Sequence, residues 1–263
     1  MDLGIRGKKA FVAAGSRGIG KAVAHALAKE GADLVICARG REELEGTAME
    51  IGGKYGVKVK AVVCDLSYEE SVKAAVSEAL DTLGRIDILF TNAGGPPVGG
   101  FEDVKIEDWD HAYKRNFKSV IELCKLIIPG MKERKWGRII ALTSVSVKYT
   151  LDRMIISNSI RLAVTGFIKS LSIELAPYNI TVNAVAPGYT LTERIKEIAR
   201  SNAEKERVKP EDVIRRIAKN IPMGRMADPM EIADVVAFLA SERASFITGV
   251  TLPVDGGQSR HPL

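Results

Sequence analysis

The sequence predicts an α/β fold, a doubly wound parallel sheet of about seven strands with helices on both faces in three α/β/α layers. Three observations predict it. Short β-rich runs recur along the 263 residues, and longer segments with apolar residues at helical spacing lie between them. Strand–helix alternation of that length implies right-handed crossovers and a parallel sheet. The runs are also apolar rather than alternating, as strands covered on both faces are.

In chain order the runs are KKAFVA from Lys8, DLVICA from Asp33, VKVKAVV from Val57 and RIDILFT from Arg85. GRIIAL from Gly137, ITVNAVA from Ile180 and VTLPV from Val250 follow. The helical segments include KAVAHALAKE from Lys21, stopping at Gly31, and YEESVKAAVSEALDTL from Tyr68, stopping at Gly84. Glycine just past a periodic segment is a stop signal, because it enters the left-handed conformation without steric cost. No internal repeat, low-complexity tract or linker interrupts the chain, so residues 1–263 read as a single domain. Residues 190–221 break the rhythm with a charged, amphipathic helical insertion. A solvated excursion and a lid over a site both fit it, since it follows a strand end.

Hydrophobic residues make up 46% of the chain, enough for a core on both sheet faces. The formal net charge is +5, and no basic run is interleaved with aromatics, so no nucleic-acid partner is expected. The mild positive balance suits an anionic ligand. Cys37, Cys64 and Cys124 form no C-x-x-C pair and sit in apolar segments, as buried thiols in a reducing compartment do. No stretch resembles a leader or reaches membrane-spanning length, and a soluble cytoplasmic protein without a metal site or membrane partner is expected.

After the first run the chain reads Ala13-Ala14-Gly15-Ser16-Arg17-Gly18-Ile19-Gly20 and enters a helix. A glycine-rich turn at the first strand–helix junction aims free amides and a positive dipole end at a diphosphate. This makes the sheet Rossmann-type. The second run ends Cys37-Ala38-Arg39. Folds that bind a free ribose 2′-hydroxyl place an acid near that point. Arg39 with Arg17 instead offers a cationic fork for a 2′-phosphate, so NADP(H) is favoured over NAD(H). A solvent-facing arginine is the plainer alternative.

These motifs resemble the short-chain dehydrogenase/reductase family, in particular its 3-oxoacyl-(acyl carrier protein) reductase type, nearly end to end. SRGIG matches the family's turn, Asp65-Leu66 its adenine contact, and Asn92-Ala93-Gly94 its motif after the fourth strand. Asn116 in YKRNFKSV matches the helix asparagine of a water-mediated proton relay, and Ser144 after GRIIALT the catalytic serine. Pro187, Gly188 and Thr192 match the nicotinamide-side loop. GFIKSLSIELAPYNITVNAVAPG and GRMADPMEIADVVAFLASERASFITGVTLPVDGG match later segments. The resemblance implies a homo-oligomer, dimer or tetramer, assembled through the helices around Ile121–Met131 and Ile155–Leu175.

The family's Tyr-x-x-x-Lys pair follows the serine strand. The ungapped GFIKSL match places Ser157 and Arg161 at those two positions, four apart and on one helix side. The geometry is kept while the chemistry is not. Serine is a far weaker acid than tyrosine. Arginine stays protonated and holds ribose hydroxyls without relaying protons. Tyr149 and Lys148, in the loop after Ser144, are substitute acids within reach; His111 lies on a more distant predicted helix. The turn departs too: the family's T-G-x-x-x-G-x-G begins here with Ala13-Ala14, which narrows the diphosphate approach unless Gly15 compensates. The loop Gly94-Gly95-Pro96-Pro97-Val98-Gly99-Gly100 is a stiff connection or a substrate-pocket wall. It resembles a loop of reductase-like sequences that lack the full tetrad.

The resemblance thus implies an NADP(H)-dependent oxidoreductase with an atypical site, acting on a small-molecule carbonyl or alcohol. A catalytically inactive dinucleotide-binding sensor or partner subunit is the alternative, and a different reaction on the same scaffold a third.

Overall fold

The computed structural model describes residues 2–260; Met1 and residues 261–263, the ends of the predicted 1–263 domain, lie outside them, as does the side chain of Ser201. The seven strands are β1 Lys9–Ala13, β2 Asp33–Ala38, β3 Val59–Val63, β4 Ile88–Thr91, β5 Gly137–Leu142, β6 Ile180–Pro187 and β7 Thr251–Val254. Six fall inside the seven apolar runs, and β6 extends one residue past its run to Pro187. They form one sheet in the order β3-β2-β1-β4-β5-β6-β7. All six pairings are parallel. The chain winds outward from β1 to β3, then crosses back to place β4 on the other side of β1. That reversal opens a crevice at the carboxyl ends of β1 and β4, where ligands of such sheets bind.

Successive strand residues point to opposite faces, which explains runs that are apolar throughout. Val12, Ile36 and Phe90 pack under Val23 and Leu27 of α1 (Gly18–Lys29), Leu44 of α2 (Arg41–Tyr55) and Val236 of α9 (Pro229–Leu239). Phe11, Val35 and Leu89 face the other way. They meet Val72 of α3 (Glu69–Leu83), Leu123 of α5 (Ser119–Arg134) and Val164 of α6 (Ile155–Leu175). The stop signal after α3 acts as the sequence predicts. Gly84 takes φ +74, and its N–H donates to Leu80 O at 2.7 Å.

The fourth run starts at Arg85, yet pairing starts at Ile88. The Asp87 carboxylate instead accepts from the Lys9 N–H at 3.0 Å and from Arg85. The three cysteines are buried and free. No helix among the described residues is long and apolar enough to cross a membrane.

The charged insertion holds two helices, α7 (Glu193–Glu206) and α8 (Pro210–Lys219). Arg207 ends the first in the left-handed conformation, φ +56, and Pro210 starts the second, where its missing N–H costs nothing. Ala199, Ala203 and Val213 form a small core between them, separate from the sheet-face cores.

Candidate functional site

A cleft of about 510 Å³ runs across the carboxyl ends of β1, β4, β5 and β6. At one end it is floored by the turn after β1. Ala14 there takes φ +53. It holds the left-handed conformation that glycine adopts freely, at a cost of roughly 1–2 kcal/mol. α1 begins at Gly18 behind an extended Arg17, whose side chain makes no capping bond. The first amides of the helix are therefore uncapped, and Gly18 and Ile19 line the cleft. Such an end attracts an anion.

The turn is clamped from three sides. The Gly15 N–H donates to Cys37 O at 3.0 Å. Thr47 Oγ1 of α2 donates to Ser16 O at 3.0 Å, and Ser16 Oγ lies 3.3 Å from Glu43. Gly20 presses from α1 so closely that a Cβ would sit 1.9 Å from Ala14 O. Arg17 and Arg39 stand exposed at the cleft edge. Asp65, Leu66, Asn92, Ala93 and Gly94 continue the lining.

At the other end Ser144 follows β5 and lines the cleft. It caps a single 3₁₀ turn, Val145–Val147, its Oγ accepting from the Ser146 N–H at 3.1 Å. Pro187, Gly188 and Thr192 line the facing wall after β6. Asn116 sits behind the cleft in a π-helical turn, Lys114–Lys118, between α4 (Ile106–Tyr113) and α5. Its Nδ2 donates to Gly94 O at 2.9 Å, and its buried Oδ1 has no partner. Asn116 and Arg161 share the wall of a small cavity of about 10 Å³.

Ser157 and Arg161 are both buried on the first turns of α6. Only Arg161 lines the cleft, and its Nη1 donates to Leu142 O at 2.7 Å. Burial, reinforced by the charges of Arg194 and Arg115, pulls its pKa to about 10. Tyr149 is half-buried outside the lining. Burial raises its phenol, and the neighbouring Gln258 opposes the shift. Tyr189 lines the cleft instead.

Arg115, Arg194 and Tyr189 are lining residues that sequence reasoning missed. Arg194, on α7, donates from Nη1 to Gly95 O at 2.9 Å and from Nη2 to Pro96 O at 3.1 Å. Arg115 Nη2 adds a bond to Gly95 O at 3.3 Å. The glycine–proline loop is thus clasped to α7 across the cleft. At its far end Gly99 bridges Met154 as a short parallel pair. No local signal marks these arginines, whose partners are carbonyls of a distant loop. Among the described residues no group of three or more metal-ligating side chains occurs.

The sequence matches the family described as enoyl-(acyl carrier protein) reductase over residues 13–259. It is 39% identical over 256 residues to the oxidoreductase UcpA of Salmonella typhimurium, covering 97% of this chain and 95% of that one. The chain belongs to the short-chain dehydrogenase/reductase family. Another short-chain dehydrogenase/reductase relative is the 3-oxoacyl-[acyl-carrier-protein] reductase FabG of Aquifex aeolicus, 35% identical over 98% of this chain and 99% of that one. The fold superposes on the L-sorbose reductase of Gluconobacter frateurii, a structure complexed with NADPH and L-sorbose. The TM-score is 0.96 at 33% identity, over 99% of this chain and 100% of that one.

Proposed function

We propose that this chain is an NADP(H)-dependent oxidoreductase, 3-oxoacyl reductase-like, that interconverts a carbonyl and an alcohol at an atypical site. One observation carries the reading. A single cleft at the sheet's switch point joins an uncapped helix N-terminus, flanked by Arg17 and Arg39, to Ser144 at its far end. The NADPH bound by the L-sorbose reductase, which shares the fold, supports the cofactor.

The residues fit that group. The amides of Gly18 and Ile19 hold the diphosphate, with Gly15, Ser16 and Gly20 shaping the turn. Arg17 and Arg39 hold the 2′-phosphate by charge-assisted hydrogen bonds. Asp65, Leu66 and the Asn92-Ala93-Gly94 segment border the adenosine half, and Pro187, Gly188 and Thr192 the nicotinamide half. The bound dinucleotide supplies the hydride chemistry. Ser144 Oγ donates to the substrate oxygen, and Asn116 holds the inner wall.

Proton delivery is the atypical step. Ser157 and Arg161 stand at the family's Tyr and Lys positions, and loss of positioned acid–base catalysis costs about 10²–10⁴ in rate. Arg161 holds hydroxyls and charge without releasing its proton. Tyr149 serves as the substitute acid by turning from Gln258 into the cleft. The whole chain acts as one domain, with α7 and α8 as its lid, in a cytoplasmic dimer or tetramer.

A second reading, a dinucleotide-binding sensor or partner subunit without turnover, is favoured by the buried Ser157, which does not line the cleft. NADPH titration by fluorescence, followed by oxidation assays with ketones and 3-oxoacyl thioesters, separates the two. Binding with turnover supports the first reading. Saturable binding without turnover supports the second. No nucleotide binding removes both.

A further inference from the structure

Residues 190–221 hang on the sheet by two roots. At the first, Thr190 bridges Ala227, and the Leu191 N–H donates to Ala227 O at 2.9 Å. At the second, the Met223 N–H donates to Gly256 O at 3.2 Å. Between the roots α7 and α8 pack on each other around Ala199, Ala203 and Val213, apart from both sheet-face cores. A unit that carries its own small core and little packing outside it opens at low cost.

A third hold lies over the cleft rather than at a root. Thr192 packs on the glycine-rich turn, where its Cγ2 is 3.4 Å from the position of a Cβ at Gly18. Two residues on, Arg194 donates to Gly95 O at 2.9 Å and to Pro96 O at 3.1 Å on the glycine–proline loop. Thr192, Glu193, Arg194 and Ile195 all line the cleft, so this stretch joins one wall to the other. The loop it meets is a fixed post. Two prolines stiffen it. Arg115 Nη2 donates to the same Gly95 O at 3.3 Å, and at the far end the Gly99 N–H donates to Arg153 O at 2.6 Å. The contact needs a glycine, because a Cβ at Gly95 would stand 2.9 Å from Arg194 Nη1. Arg194 itself is exposed. Water competes for exposed donors, so a hold of two such bonds parts and reforms.

We propose that residues 192–195 are a strap across the cleft, that Arg194 is its latch on Gly95 and Pro96, and that parting of the latch gates entry and exit of the dinucleotide. The proposal rests on the reading of the cleft as an NADP(H)-dependent site and adds the step that sets exchange there. A ligand reaching from Gly18 to Ser144 shares the cleft with the strap. A latch made both before and after binding slows the two directions alike, so it governs rates rather than affinity. An arginine bonded to the cofactor itself would govern affinity instead.

The test is stopped-flow NADPH fluorescence on the full chain, with association read on mixing and dissociation on a chase with NADP+. Arg194→Met removes the latch. Gly95→Ala displaces it from the other side, against the flexible end of an exposed side chain, and leaves Arg194 in place. Each variant is expected to speed association and dissociation about tenfold and to leave the NADPH Kd within about twofold. The double variant should be no faster than either single one, since both break the same contact. Unchanged rates in both variants overturn the proposal and leave the nucleotide reading standing. Faster dissociation in Arg194→Met alone, with weaker binding, also overturns it and assigns Arg194 to the cofactor. Failure of the unaltered chain to bind NADPH removes the nucleotide reading and the gate, but not the latch. Hydrogen exchange of residues 193–206 without nucleotide reads the latch by itself. Exchange about tenfold faster in both variants supports it, and unchanged exchange overturns it.

Discussion

The two ends of the cleft are built by different means. The nucleotide-side end is a backbone construction: a turn clamped between β2, α1 and α2, an uncapped helix start, and Gly20 pressed against Ala14 O. The other end is a side-chain construction, with Ser144 after β5, Arg161 on α6, Arg115 within the π-turn and Arg194 on α7. The turn shows this in its dihedrals, where Ala14 takes a φ of +53 that glycine adopts freely. At the other end Ser157 and Arg161 lie one helix turn apart on α6, both buried. A backbone-built end tolerates little change of shape. A side-chain-built end can exchange residues without disturbing the sheet.

The largest expected effect tests that intolerance. Gly20→Ala puts a Cβ into the Ala14 carbonyl and should cost about 3 kcal/mol or more, read from the denaturant midpoint, with loss of NADPH binding. An unchanged midpoint would break the comparison at its first term. Ser144→Ala should leave NADPH affinity intact and lower turnover about 100-fold. A parallel loss of nucleotide affinity would show that the two ends are not separable. Arg39→Gln should weaken NADPH about tenfold, close to 1.4 kcal/mol, and leave NADH unaffected. Equal weakening of both nucleotides would remove Arg39 from 2′-phosphate recognition. The smallest effect is a gain. Ala14→Gly relieves the left-handed alanine and should add about 1 kcal/mol, raising the thermal midpoint by roughly 2–4 °C. A lower midpoint would mean that the alanine is unstrained.

The same division governs how much was legible beforehand. Six strands lie within the apolar runs and β6 ends one residue past its own, because a strand buried on both faces, as β1, β2, β4, β5 and β6 are, writes its burial into consecutive residues. The stop at Gly84 was legible for a similar local reason. The insertion at 190–221 read as one helical excursion and proves to be two helices, since the break at Arg207 depends on α7 and α8 folding onto Ala199, Ala203 and Val213. The π-turn around Asn116 left no trace in the periodicity, which registers only as helix. Ser144 and Arg161 were placed through the family resemblance. Arg115 and Arg194 were not found at all.

The sequence by itself determined the class of the fold, the number of strands and the position of the turn that opens the cleft. Those features follow from local periodicity, glycine placement and the handedness of crossovers. Only the tertiary structure decided which cations share the cleft. Arg194 meets Gly95 across 99 positions of chain, and Arg161 reaches the cleft from inside a helix that the sequence shows only as amphipathic. Such convergence depends on the paths of the loops and the packing of α6 and α7 at the sheet's edge. No window of residues encodes those paths alone.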